Sequence, residues 1–523
     1  MNSFRSIFFK NLSLINLLTV LIFFIYSIII IRYQYDGHHI GLIYSNSIDL
    51  LNGKLPYKEI FIQYGILTTI INSIILSIFD TKIFFISFFN TIFYFLGVLF
   101  ISKTVNNFTN LKFSFLATVI ILFNHPIPWL PWPNYIAFFF ISMSFYLISL
   151  NNKNYFLIGF FLSLSILTRQ DLFIPIIVSI LIFSLIHFFF TRRIDIKNNF
   201  NFIYGFIIPK FIFLIYLFSQ NIFDYWFNYL SLPKIYLDIY ETSVYKLIFD
   251  YIIFFTSESF FSFIIFPQYF LISIILIFNS IFLFLFLFKK IKLKNKILFI
   301  LIIGNLFSAL SLKIELFRLY TSVIFGLISL LYIIHKIKDK DFRKKLIMLL
   351  LLPSLFSICF YPLGNNHLFN KLNFSSNNLK IINNKFDYNI WPEQKIKIIN
   401  TITDISTKCD VKFLENLTWD TLYSTISDYD RIKVMPYAQF INKNFKQLDL
   451  VERTNNSELS FIQLINNEIV NSNIILLVTE NNHIYKNEEL IITSNYKMIE
   501  IDQNNIIGKP EILRIYFPEK CTI

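Results

Sequence analysis

Apolar and polar positions divide the chain into two unequal parts, with the boundary near residue 362. Before that point, long apolar blocks alternate with short segments rich in Lys and Arg, a pattern typical of many membrane-spanning helices. Several blocks are shorter than the roughly 20 residues that a lone spanning helix needs, so we expect them to extend into flanking aromatic residues or to lie inside the bundle. The predicted spans are residues 11–31, 83–102, 113–123, 135–150, 155–168, 172–190, 201–219, 269–288, 297–312, 319–334 and 346–361.

The apolar stretch at residues 66–79 differs from these blocks because polar side chains follow one of its helical faces. Such a helix prefers to lie in the membrane interface. We therefore predict eleven spanning helices, with interfacial helices in a first loop at residues 32–82. The polar residues recur at spacings of three and four: Thr68, Thr69, Asn72, Ser73, Ser77 and Asp80.

The basic residues support this choice and set the orientation. With residues 66–79 in the interface, nineteen Lys and Arg side chains fall on the side of the N-terminus, which is then the cytoplasmic side. Counting the stretch as a span would send seventeen of them across the membrane. The sequence thus predicts a multi-pass protein of the cytoplasmic (inner) membrane, with these parts outside: residues 33–39, 125–134, 169–171, 220–266, 313–318 and everything after 361.

The second part, residues 363–523, is rich in Asn, Asp, Glu and Lys, and its apolar residues come in short runs. Strand-like pieces alternate with helix-like ones, so we predict an extracytoplasmic α/β domain that has its own core. The strand-like pieces are VKFLE, RIKVM, NIILLV, KMIEI and ILRIYF, and the helix-like ones are EQKIKIINTITDI and LSFIQLINNEIV.

Composition agrees with a membrane protein, since 55% of the 523 residues are hydrophobic and only 15% are charged. The net charge of +13 does not indicate nucleic-acid binding, because the cations lie in short loops between apolar blocks. The three cysteines have no metal or redox spacing, and a disulfide between Cys409 and Cys521 is one of the open alternatives.

The segment YQYDGHH at residues 33–39 directly follows the first span and contains the acid Asp36. An ionisable group next to hydrocarbon is unfavourable and tends to mark function, although a helix-end acid in the headgroup zone is the plainer interpretation. Interfacial helices after Asp36 would hold its carboxylate near the membrane surface. That placement suits a reaction between a lipid-borne and a water-borne substrate.

These features resemble the integral-membrane glycosyltransferases of the GT-C superfamily, of the protein O-mannosyltransferase and aminoarabinose-transferase type. The resemblance rests on Asp36, on a Gly-x-x-Pro-Tyr segment at residues 53–57, and on about eleven spans followed by an outer α/β domain. It implies a sugar donor carried on a polyprenyl phosphate, an acceptor that is a saccharide, lipid or protein, inversion at the anomeric carbon, and catalysis on the outer face. Residues 1–362 would then form the catalytic module.

Glycosyl transfer passes through a cation-like sugar, and a carboxylate can deprotonate the incoming hydroxyl while stabilising that state. Asp36 is our candidate for this base. His39 and Glu59 are candidates to assist catalysis. A histidine pair in a polar loop is, however, more often plain surface, and Glu59 can serve only to orient its loop.

The departing polyprenyl phosphate needs a cation, and a guanidinium can bind two of its oxygens at once. Arg169 and Arg318 are candidates, with membrane-surface anchoring as the alternative. The candidates for substrate contacts are His38, Tyr64, Asp171 and Glu315. For Asp171 and Glu315, an ion pair with the neighbouring arginine is an equally good interpretation.

One departure concerns a second acid, which many relatives carry in the next outer loop. Here that loop reads NHPIPWLPWPNY and has no Asp or Glu, so His125, Asn134 or Glu315 would have to substitute. A divalent cation such as Mg²⁺ or Mn²⁺ is a candidate cofactor, but an oxygen-liganded ion usually takes more than one carboxylate.

Two other functions compete with the glycosyltransferase. A flippase of polyprenyl-linked saccharides should have paired halves with broken helices and midplane charges, and the sequence lacks such halves. A polysaccharide polymerase should have large outer loops and no folded C-terminal domain. The chain has such a domain, which favours the transferase.

Overall fold

The computed structural model describes most of the chain. The described residues are 14–33, 35–37, 39–62, 64–125, 131–150, 154–191, 196–229, 267–289, 291–306, 316–364, 381–418, 420–427, 429, 461–479, 488–504 and 510–521.

A bundle of α-helices forms the first part of the chain, and its helices follow the predicted apolar blocks. Five of them are long and apolar enough to cross a membrane: α1, α4, α8, α9 and α11. Shorter apolar helices, among them α5, α6, α7, α12 and α14, pack against these and against one another, which confirms a polytopic membrane bundle. The helices are α1 (Leu14–Tyr33), α2 (His39–Leu51), α3 (Ile66–Ile78), α4 (Ile83–Phe108), α5 (Leu111–Phe123), α6 (Pro133–Ser149), α7 (Tyr155–Thr168), α8 (Phe173–Thr191), α9 (Ile196–Ser219), α10 (Phe223–Tyr229), α11 (Pro267–Leu287), α12 (Asn295–Leu306), α13 (Leu316–Val323), α14 (Gly326–Lys336) and α15 (Lys340–Gly364).

Helices α2 and α3 lie at one end of the bundle. The end of α1 and the start of α4 contact the same short segment of the C-terminal domain: Ile390 N donates to Arg32 O (2.6 Å), and Lys82 Nζ lies 3.3 Å from Asp387 Oδ2. The chain between α1 and α4 therefore starts and finishes at the same end of the bundle. Helix α3 does not carry it across the bundle, in agreement with the predicted interfacial helices.

The predicted helix at residues 319–334 is wrong in one respect, because it is two helices, α13 and α14. The break lies where the backbone comes very close to neighbouring helices: a Cβ on Gly304 would lie 2.8 Å from the Gly326 Cα. The Asn279 side chain donates to the Gly326 carbonyl (3.0 Å). Since the sequence stays apolar through the break, its periodicity could not reveal this packing.

The C-terminal domain is α/β, as predicted. Its four-stranded sheet has the order β1-β2-β4-β3, with β1 and β2 parallel and the other two pairings antiparallel. All six residues of β2 are buried, which explains its continuous apolar sequence. The strands are β1 (Phe413–Asn416), β2 (Ile474–Thr479), β3 (Tyr496–Asn504) and β4 (Pro510–Pro518), and the helices are α16 (Glu393–Lys408), α17 (Phe461–Val470) and α18 (Glu488–Thr493). The strand predicted at residues 431–435 lies outside the described residues.

A disulfide joins Cys409 and Cys521, whose Cα atoms are 5.0 Å apart. Cys409 directly follows α16, and Cys521 lies just beyond β4, so the bond ties the first helix of the domain to its last strand. The pairing that the sequence left open is therefore present.

The domain packs on the end of the bundle that carries α2 and α3. One continuous cluster of buried apolar side chains runs from the bundle into the domain. A short 3-10 turn, Thr421–Thr425, lies along α2. Part of the first loop, including α2, is thus packed between the bundle and the domain.

Candidate active site

The Asp36 side chain lies at the start of α2, where it acts as the helix cap. Asp36 Oδ1 accepts a hydrogen bond from the His39 backbone N–H (2.8 Å), and the Asp36 carbonyl accepts from Ile40 N (3.1 Å). An acid is stabilised at this position because the first N–H groups of a helix have no intrahelical partner and carry a partial positive charge. The sequence Asp-Gly-His-His thus fixes one carboxylate oxygen locally.

The second oxygen of Asp36 contacts an imidazole. His39 Nδ1 lies 2.8 Å from Asp36 Oδ2, and the two side chains are 23% and 18% exposed. With the proton on Nδ1, the ring donates to the carboxylate, and its other nitrogen can accept a proton. The pair is partly accessible and has the chemistry to take a proton from an acceptor hydroxyl.

His39 also connects Asp36 to the start of α6. Its ring lies against the Trp132 indole, with ring centroids 4.5 Å apart. Trp132 immediately precedes α6, whose first turn contains Asn134. The next cluster of polar side chains begins at this residue.

Arg169 is the centre of that second cluster. Its guanidinium donates to Asn134 Oδ1 (2.6 Å) and to Asp171 Oδ1 (2.9 Å), and it also contacts Asp171 Oδ2. The residue is only 7% exposed. These bonds use three of the five guanidinium N–H groups. The ion pair that the sequence offered as an alternative role for Asp171 is present.

Asn134 extends the Arg169 cluster to α13, since its side-chain amide donates to Thr321 Oγ1 (3.0 Å). Arg318 lies one helical turn before Thr321 and therefore on the same face of α13. Helix α13 thus brings the backbone of Arg318 to the Arg169 cluster. A small cleft lies between α6, α13 and the segment that joins α7 to α8, and it is lined by Asn134, Ala137, Phe138, Ile141, Arg169, Leu172, Thr321 and Ser322.

The loop between α2 and α3 contains Glu59 and Tyr64. Glu59 is exposed, and its carboxylate accepts from Leu55 N (2.6 Å), a bond that orients its own turn. Tyr64 is half-buried, and its carbonyl accepts from Gln170 N (3.4 Å). Tyr64 therefore lies beside the Arg169 segment, whereas Glu59 is held in a separate turn.

Close backbone packing keeps that loop in place. A Cβ on Gly65 would lie 2.3 Å from Leu167 O, and Thr68 Oγ1 donates to Thr168 O (3.0 Å). The start of α3 is thus held against the end of α7, directly before Arg169.

Two of the sequence candidates, His38 and Glu315, lie outside the described residues. Of the suggested substitutes for a second acid, His125 is buried, and its Nε2 lies 3.0 Å from the Tyr135 hydroxyl. In the described part of the chain, no three His, Cys, Asp or Glu side chains gather at metal-ligand spacing.

Asp420, an acid of the C-terminal domain that sequence patterns did not single out, lies next to the Asp36 loop. The Tyr35 hydroxyl donates to Asp420 Oδ2, and Leu422 N donates to Gly37 O (3.1 Å). Burial, and then the neighbouring Asp420 carboxylate, raises the pKa of Tyr35 well above its usual value, so the phenol keeps its proton and donates. Because the two partners have a sequence separation of 385, no local pattern could have indicated this contact.

Comparisons with known proteins address the fold. No protein-family model matches the sequence, and no curated protein matches it. Among solved structures, ArnT from Cupriavidus metallidurans bound to undecaprenyl phosphate is similar, with a TM-score of 0.56 over 96% of this chain and 97% of that one, at 8% identity. The chain has the ArnT fold. The apo form of the same protein gives a TM-score of 0.55 over the same shares, at 7% identity.

ArnT is an aminoarabinose transferase with a GT-C fold. The predicted resemblance to GT-C enzymes is therefore confirmed at the level of the fold, and it covers the bundle and the C-terminal domain together. An identity of 8% carries no information about individual side chains. The roles of Asp36, His39 and Arg169 stay predictions, supported by their geometry.

Proposed function

We propose that the protein is an inverting glycosyltransferase that moves a sugar from a polyprenyl-phosphate donor to an envelope acceptor. The observation that carries this proposal is the partly exposed Asp36–His39 pair, which lies at the same end of an ArnT-like bundle as a buried arginine. Undecaprenyl phosphate is the molecule bound in one of the similar ArnT structures. A polyprenyl-phosphate sugar is the donor class that we infer for this chain by analogy.

In the proposed reaction, Asp36 accepts the proton of the acceptor hydroxyl as that oxygen attacks the anomeric carbon. The bond from this carbon to the phosphate oxygen breaks, and polyprenyl phosphate leaves with the bonding electrons. Attack from the face opposite the leaving group inverts the anomeric centre. His39 holds the carboxylate and can share the proton through Nδ1.

The leaving phosphate develops charge that a guanidinium can stabilise. Arg169 and Arg318 are the proposed groups, because the Asn134–Thr321 bond joins the Arg169 cluster to α13. Asp171 and Asn134 hold the Arg169 guanidinium in a fixed orientation. We place this reaction on the outer face of the membrane, following the distribution of basic residues.

Purified protein in lipid nanodiscs, supplied with a panel of labelled polyprenyl-phosphate sugars, tests the proposal. We expect one sugar to be released from its lipid in the presence of membrane-envelope extract as the acceptor source. Movement of the intact lipid-linked sugar across a liposome bilayer without cleavage would instead identify a flippase. Absence of cleavage of every donor would contradict the transferase.

A further inference from the structure

The C-terminal domain contacts the Asp36 loop through a buried polar cluster. Asp420 is 4% exposed, and its Oδ2 accepts from the Tyr35 hydroxyl and from Lys395 Nζ (3.2 Å). Lys395 Nζ also lies 2.9 Å from the Tyr423 hydroxyl and 3.0 Å from Gln503 Oε1. The cluster therefore joins the residue before Asp36 to a charged pair inside the domain.

The residue after Asp36 is held by the same short segment. Leu422 N donates to Gly37 O (3.1 Å), and a Cβ on Gly37 would lie 1.8 Å from Asp420 Oδ1. The domain thus bonds to the residues on both sides of Asp36, through the Tyr35 hydroxyl and the Gly37 carbonyl. A Cβ at residue 37 would therefore force either the loop or the Asp420 carboxylate to move.

The contact between the domain and the bundle does not depend on the Asp420–Lys395 ion pair. Apolar contacts already join the two parts: Trp391 packs edge-on against Tyr35 (5.1 Å between ring centroids), and the buried apolar cluster is continuous across the interface. A buried ion pair adds little net stability compared with apolar residues of the same volume. What the pair does supply is a defined geometry for the groups that it bonds.

We propose that Asp420 is a positioning residue: through Tyr35 and Gly37, the C-terminal domain holds the Asp36 carboxylate in the orientation that sugar transfer requires. This inference rests on the proposed function. The local helix cap fixes the carboxylate relative to α2, and the Asp420 segment fixes the start of α2 relative to the bundle. A misplacement of about 1 Å at a reacting group can lower a rate about 100-fold.

A double-mutant cycle tests the contact directly. Gly37→Ala should lower kcat about 100-fold, because the new methyl group displaces the loop from Asp420. Asp420→Ala removes the carboxylate atoms that the methyl would meet. Adding Gly37→Ala to Asp420→Ala should therefore cause little further loss, whereas multiplicative losses would overturn the proposal.

Tyr35→Phe provides a variant that keeps the Asp420–Lys395 pair and the packing on Trp391. Positioning predicts a lower kcat with an unchanged KM for the donor. The matched control is Glu500→Gln, which breaks an exposed ion pair of the same domain with Arg514 (3.0 Å), and it should leave kcat unchanged. A Tyr35→Phe enzyme with normal kcat, or one with only a raised KM, would contradict the proposal.

Hydrogen exchange separates this inference from the proposed function. In the full-length protein, Gly37→Ala should speed exchange at the Leu422 and Ile40 amides, whether or not any sugar is transferred. Unchanged exchange at both amides would show that the domain does not hold the loop. If exchange changes but no donor is cleaved by the wild-type protein, the proposed function fails while the structural coupling stands.

Discussion

Asp36 is placed by its own neighbours in the chain. Its carboxylate accepts a hydrogen bond from the His39 backbone N–H and contacts the His39 ring. These two contacts orient the Asp36 carboxylate relative to α2. A hydrogen bond to a charged group contributes about 1.5–3 kcal/mol. The pair is therefore strong enough to matter for catalysis, while the proposed role of Asp420 is to place the whole turn relative to the bundle.

Replacing His39 by Ala should lower kcat about 10- to 100-fold, because it removes a bond of this strength to the base. Initial rates with the labelled donor measure the effect. The matched control is His187→Ala, since His187 lies on α8, where Asn295 contacts its Nδ1 (3.2 Å), and it is not part of the site. Equal rates for the two variants would mean that His39 has no part in the reaction.

At the scale of helices and strands, the sequence predicted an element correctly where the spacing of its apolar residues follows the buried face of that element. Helix α7 occupies the predicted residues, and all four described strands, β1 to β4, follow predicted strand-like pieces. The division between α13 and α14 was missed because the sequence stays apolar through it. Asp420 was missed because its contacts are made across the domain interface, which no local pattern describes.

If α3 lies in the membrane interface, the chain before it and the chain after it are on the same side of the membrane. Single cysteines at Asn52 and Asp80, both exposed, should react with a membrane-impermeant maleimide from the same side. Cys359→Ser serves as the background, so that no other free thiol competes. Labelling from opposite sides would mean that residues 66–78 cross the membrane.

The disulfide between Cys409 and Cys521 closes a loop with a sequence separation of 112. Removing such a bond typically lowers the free energy of unfolding by about 2–5 kcal/mol. Changing both cysteines to Ser should therefore lower the unfolding midpoint of the C-terminal domain, measured by thermal denaturation in detergent. Cys359→Ser is the control and should leave that midpoint unchanged; equal midpoints for both variants would contradict a stabilising disulfide.

At the scale of the whole molecule, the fold places the C-terminal α/β domain on the end of the bundle that carries Asp36, His39 and Arg169. The likeness to ArnT covers 96% of the chain, so the arrangement of the two parts is shared and not only their separate folds. The domain packs against the Asp36 end of the first loop. We infer that the site functions as a unit built from both parts.

The role of Asp36 as the base is tested most directly with the Asp36→Asn variant in nanodiscs. Its rate of sugar release from the polyprenyl-phosphate donor is measured beside that of the wild-type protein. The amide keeps the shape of the side chain and removes the charge, so we expect the rate to fall about 100- to 10,000-fold, while the donor still binds. A rate within about twofold of the wild type would contradict the assignment of Asp36 as the base.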